Sequence, residues 1–176
     1  MEVFGNILLA GVPAGIVLYG SYLLVKTFVE KEQMAALGKL QIKTTEIALP
    51  MRFHAYERMV LYLERITPNN LISRLNNGEM NIGQMHFALV HTIREEFNHN
   101  LTQQLYISDE VWQAIVGARE EMIAMLNQVA DGMDQEGPGI DLARAVFQHV
   151  LNTGNDYTSV ALYLLKNEAR GLMPLA

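Results

Sequence analysis

VFGNILLAGVPAGIVLYGSYLLV, residues Val3 to Val25, is an uncharged run between Glu2 and Lys26, and its reading decides the architecture. A 23-residue helix rises about 34 Å, slightly more than a hydrocarbon core of about 30 Å, so the run is predicted to span a bilayer with some tilt. Its twelve Val, Leu, Ile and Phe residues favour insertion by roughly 4 to 7 kcal/mol, from which Asn6, Pro13 and four glycines subtract. A cleaved signal peptide fits less well. No Lys or Arg precedes the run, the apolar stretch outlasts an h-region, and a cut after Ala14 would leave half of it on the mature chain.

Outward from the run, the basic residues set the expected orientation. Lys26, Lys31, Lys39 and Lys43 follow it and none precedes it, so the C-terminal portion is predicted to be cytoplasmic and the N-terminus outside. Within the span, Gly11-x-x-x-Gly15 and Ala10-x-x-x-Ala14 place small residues on adjoining strips. Helices can approach closely there, so the expected partners are the lipid bilayer and another membrane protein or a second copy of the chain.

The remaining sequence predicts helix throughout. Residues 26–49 are strong helix formers interrupted only by Gly38 and read as a stalk that stops near Pro50. Residues 50–176 repeat apolar positions at helical spacing. Phe53, Tyr56, Val60 and Leu63 mark one face; Thr67-Pro68 opens a short helix through Leu71, Ile72 and Leu75; Ile82, Met85, Leu89, Ile93 and Phe97 mark a long one. Ser108 with Asp109 and Glu110 starts another, whose apolar side includes Trp112, Ile115, Val116, Met122, Ile123, Leu126 and Val129. DGMDQEGPG, residues 131 to 139, is the clearest loop. Two further helices carry Ile140, Ala143, Phe147 and Val150, then Val160, Ala161, Leu164 and Leu165. No stretch alternates with period two. The expected fold is all-α: a transmembrane anchor over 1–25, a helical stalk over 26–49 and a cytoplasmic multi-helix bundle over 50–176.

Chemistry is sparse. With no cysteine the chain has neither thiol nucleophiles nor cysteine-ligated metals, and it contains no G-x-S-x-G elbow and no Walker-type glycine loop. A net charge of −6 without a basic stripe argues against nucleic acid. Charge is uneven: residues 26–66 hold seven Lys/Arg against five Asp/Glu, whereas 106–139 hold one against seven, which fits a basic half near the bilayer and an acidic half away from it. The best metal candidate is His91, Glu95 and His99 at i, i+4 and i+8, with Glu96 and His99 in Glu-x-x-His spacing. A di-iron site needs a second such motif, and the chain offers only the reversed His54-Ala-Tyr-Glu57. The stripe also lies opposite Leu89, Ile93 and Phe97, so it reads as solvated helix surface. His86 shares the apolar face and reads as a hydrogen-bonded core histidine rather than a ligand. No cofactor and no small-molecule substrate is expected.

AYERMVLYLERITPNNLISRL, Ala55 to Leu75, and REEFNHNLTQQLYISDEVWQAI, Arg94 to Ile115, resemble an uncharacterised group of single-pass membrane proteins of Bacteroidetes-type bacteria, along nearly the whole chain. The resemblance implies an inner-membrane address and carries no catalytic residue. It leaves the combination of Glu57, Arg58, Glu64, Arg65, Pro68, Asn69 and Asn70 to be explained, with Arg–Glu pairs along one helix and a self-bonded Pro-Asn-Asn corner as the structural expectation. The resulting expectation is a non-enzymatic, membrane-anchored scaffold or accessory subunit that binds other proteins. The alternatives are a metal-dependent enzyme using the stripe and a regulatory subunit of a transport or secretion complex.

Overall fold

The computed structural model describes the backbone of residues 2–76 and 78–173, and side chains over 18–34, 46–76 and 78–173. The described residues are all helix and connection, without a strand. They form α1 (Glu2–Arg65), α2 (Pro68–Leu75), α3 (Ile82–His99), a 3-10 helix (Leu101–Leu105), α4 (Asp109–Ala130), α5 (Gly139–Thr153) and α6 (Ser159–Gly171). The chain divides into two compact units, Met1–Leu49 and Pro50–Ala176.

Helix α1 does not stop at Pro50, as the sequence predicts, but continues to Arg65. Proline's fixed φ is itself helical, so the cost is the missing N–H bond and crowding of the preceding turn, roughly 3 kcal/mol in a helix interior. The apolar face from Ala55 to Leu63 provides the compensation, because it is buried. Among the described residues no helix is long and apolar enough to cross a membrane. The predicted span lies mostly on residues 3–17, whose side chains are outside those described, as does the Gly11/Gly15 packing motif.

The second unit is a helical bundle. Helix α3 packs on α4 and α5, α4 also packs on α5 and α6, and α2 packs on α3 and α5. The last turns of α1 contribute Ala55, Tyr56, Met59, Tyr62 and Leu63 to the core. All five apolar positions predicted for α3 are buried. Burial of each such side chain stabilises by about 1.5 to 3 kcal/mol relative to leaving it in water. The register of the last two helices differs from expectation: Ile140 and Val160 are 42% and 66% exposed, and the inward positions of α5 are Leu142, Ala143 and Val146. Both misplaced residues sit in the first turn of a helix, where a single apolar residue says little about which face turns inward.

Residues 131–138 form the predicted loop, and they also complete the start of α3. The backbone oxygens of Gly137 and Gln135 accept from the N–H groups of Ile82 (2.9 Å) and Gly83 (3.0 Å). Asn81 accepts from the Gln84 N–H and donates its own N–H to the Gln84 side chain, a capping box. The four donors that a helix start leaves unpaired are thereby all satisfied.

Candidate functional site

The candidate ligand stripe does not converge. His91, Glu95 and His99 are exposed, and the His91 ring stacks on Phe87 at 5.4 Å. His54 pairs loosely with Glu57, 3.8 Å away. Among the described residues no three His, Cys, Asp or Glu side chains are grouped so as to hold a metal ion. His86 is half-buried and bonded, its Nε2 lying 2.9 Å from Asn127 Oδ1 on α4.

Glu96 departs from its stripe. Its side chain is only 18% exposed and lies between two guanidinium groups. Arg65 reaches both carboxylate oxygens, through Nε at 2.9 Å and Nη2 at 3.0 Å, while Arg74 Nη1 donates to Oε1 at 3.0 Å. The Arg–Glu pairing expected along α1 therefore runs between helices, tying α1 and α2 to α3. The Pro-Asn-Asn corner does bond its own backbone: Asn70 Nδ2 and Thr67 Oγ1 each donate to the Glu64 carbonyl at 2.8 Å.

A groove of about 290 Å³ opens between α1 and the C-terminal turn of α3 beside this clamp. Arg58 lines one wall, with Nε donating to Asn100 Oδ1 at 2.9 Å, and His99 and Asn100 line the other. The groove's one buried residue is Tyr62, whose hydroxyl is closed to solvent and has no hydrogen-bond partner. Desolvation pushes the Tyr62 phenol far above its ordinary value, with the Arg119 charge opposing it.

A second polar cluster centres on Glu168 of α6. Its carboxylate accepts from Tyr56 Oη (2.8 Å), Arg52 Nη2 (3.1 Å), the Ser108 backbone N–H (3.2 Å) and the Ser108 hydroxyl. Desolvation acts to raise the Glu168 pKa, but these bonds from Ser108 and Tyr56, with the Arg52 charge, together hold it below the ordinary value. Tyr56 is pushed up to about 12 by desolvation and by its bond to the Glu168 carboxylate. Ser108 is the N-cap of α4, so Glu168 also sits at the positive end of that helix. Three elements distant in sequence meet here, and the arrangement is that of a tie rather than a reaction centre: every carboxylate oxygen is already engaged.

An apolar opening of about 440 Å³ lies where the start of α2 faces the α5–α6 connection. Pro68, Phe147, Val150 and Tyr157 line it, and Leu151 stands at its rim with 81% of its surface exposed. Asp156 is the one charged liner, and it is already bonded to Thr158 and Ser159. Sequence reading misses this opening because its walls come from residues about 80 apart, and Val150 and Phe147 read simply as core.

A family described as a family of unknown function (DUF7935) matches residues 2–172. No curated protein and no solved structure matches the chain. An uncharacterised family is expected from the strings at Ala55–Leu75 and Arg94–Ile115, and the match supplies one whose description carries neither a membrane type nor a bacterial group.

Proposed function

The chain belongs to this family of unknown function, and we propose that it is a membrane-anchored scaffold or accessory subunit whose helical bundle docks an apolar segment of another protein. The observation that carries the docking half is the opening beside Leu151. An apolar recess with one internally satisfied acid offers burial without a charge to neutralise, and Leu151 at its rim would add apolar area to the contact.

Two features support the anchor half. Residues 3–25 are uncharged and long enough to span. Among the described residues, Leu18, Tyr19, Tyr22, Leu23, Leu24 and Val25 are all exposed, and at 100° per residue they occupy every side of the helix. A helix that is apolar all round belongs in lipid or inside a larger assembly, and tyrosines next to Lys26 suit the membrane interface. Charge bias favours a cytoplasmic bundle, and the resemblance at Ala55–Leu75 and Arg94–Ile115 favours a bacterial inner membrane; a regulatory subunit of a transport or secretion complex is the alternative.

The test combines both halves in the full-length protein. Alkaline extraction should leave the chain in the membrane fraction. A photo-crosslinking residue at Leu151 should give a discrete adduct with a second polypeptide, while one at the exposed Gln113 on α4 gives none. Release into the supernatant overturns the anchor, and equal labelling from both positions overturns the docking surface.

A further inference from the structure

We propose that the apolar opening beside α2 is filled by Leu151 of a second copy of this chain, each copy filling the recess of the other. The inference rests on the docking half of the reading above, which leaves the docked segment unnamed, and it names that segment. A two-fold contact sets a surface against its own copy, so an uncompensated charge in it meets a like charge. A chain of net charge −6 therefore meets itself at least cost where charge is sparse. Residues 145–165, which supply the α5–α6 wall of the opening, hold Asp156 and no other Asp, Glu, Lys or Arg, and residues 66–73 at the facing wall hold none, against 18% charged residues in the whole chain. Burial does not explain the depletion, because Gln148, Asn152, Asn155, Ser159, Val160 and Tyr163 are exposed and equally uncharged. Asp156 is held within its own turn, where its Oδ1 accepts from the N–H groups of Thr158 (3.2 Å) and Ser159 (3.1 Å). Exposed surface that lacks charge and keeps its aromatic residues has the composition of an interface core.

Shape supplies the second observation. Leu151 is an exposed knob at the rim of an apolar hole of about 440 Å³. A two-fold axis passing between a knob and a hole on one surface puts each knob into the other copy's hole, so the patch is complementary to itself. One association thereby covers both the recess and the leucine. A specific interface buries about 800 Å² on each side, more than a single leucine supplies. Helix α6, which begins two residues after Tyr157 of the recess, carries Val160 and Tyr163, both exposed, and adds apolar area along the same uncharged stretch. Chains held in one membrane by the anchor also meet at a raised effective concentration, which lets a modest contact suffice.

The chain has no cysteine, so single introduced cysteines report contacts between copies. Two differently tagged full-length copies are expressed in one cell, with Leu151→Cys in one and Asn69→Cys at the facing wall in the other, and are treated with a short membrane-permeant bismaleimide. The expected product carries both tags and joins two chains of 19.8 kDa. Gln113→Cys on α4, in place of Leu151→Cys, should give none above background. Leu151→Asp added to the Asn69→Cys copy removes one of the two exchanged knobs and should lower the yield by roughly tenfold or more, as expected for one buried leucine lost. Because Leu151 is exposed, that variant should keep its thermal midpoint. Absence of the doubly tagged product, equal yield from Gln113→Cys, or a yield untouched by Leu151→Asp overturns the exchange. The photo-crosslinking residue at Leu151 separates this inference from the reading beneath it. Capture of a second copy supports both; capture of a different protein keeps the docking surface and overturns the exchange; labelling equal to that from Gln113 overturns both.

Discussion

A phenol hydroxyl taken out of water without a new partner forfeits its hydrogen bonds, and Tyr62 stands in that position. Its ring is well used, 5.8 Å from the ring of Phe97, over which the Arg119 guanidinium lies at 4.1 Å. Tyr62→Phe keeps the ring and removes the stranded group. The midpoint of urea unfolding should therefore rise by the equivalent of about 1 kcal/mol with an unchanged slope. A lower midpoint would mean that the hydroxyl is satisfied. Glu96 teaches the complementary lesson. Its spacing from His99 is that of a ligand, yet its oxygens face Arg65 and Arg74. Spacing along one helix is legible in a sequence. The partners that a side chain finds on α1 and α2, 31 and 22 residues away, leave no local signal.

Helix boundaries and faces were legible where propensity, capping and pattern agreed, as in α3 and in α4 behind Ser108; α2 starts at Pro68 as read, although the Thr67 hydroxyl turns back to Glu64 and makes no cap bond to the helix. They failed at Pro50, where burial of the following turns outweighs a local breaker. The loop over 131–138 was legible from its composition, but its role as a cap for α3 was not, because that depends on backbone atoms brought together by the fold. Gly139 makes the role testable. A Cβ there would lie 2.7 Å from the Met80 carbonyl oxygen, which itself accepts the Gly139 N–H. Gly139→Ala must push the loop away from the start of α3 and should destabilise by about 1 to 3 kcal/mol. Gly117, in the middle of α4, has open space at the same position. Gly117→Ala should stabilise by roughly 0.5 to 1 kcal/mol through the loss of unfolded-state freedom. Thermal midpoints moving in opposite directions would establish that the loop contact, rather than glycine content, sets the difference; a neutral Gly139→Ala would remove the loop from the account of α3.

Across the whole bundle, the all-helical class and most of the core were readable, because helical periodicity is a repeated signal. What joins the last helix to the first was not. Glu168 connects α6 to Arg52 and Tyr56 on α1 and to Ser108 at the start of α4, and this tie ought to govern how the fold responds to pH. Glu168 has a folded pKa below its ordinary value of 4.5, so the folded state holds its proton less tightly than the unfolded chain. Its contribution is complete above about pH 4.5 and is lost as pH falls through the folded pKa. Tyr56 works in the opposite sense. Its pKa is raised from 10.0 to about 12, so its contribution is complete below pH 10 and is lost between pH 10 and 12. Urea unfolding measured from pH 3 to 12 should accordingly show a plateau with a fall on each side, the acid fall reflecting Glu168 and the alkaline fall Tyr56 together with Tyr62, whose pKa is raised in the same direction. Glu168→Gln should lower the plateau and flatten the acid side, because the amide cannot titrate and accepts weaker bonds from Arg52 and Ser108. Tyr56→Phe should leave the acid side falling over a narrower range, since Glu168 loses one of the donors that depress its pKa. An acid limb as steep in Glu168→Gln as in the parent would place acid sensitivity elsewhere and reduce the cluster to an ordinary surface contact.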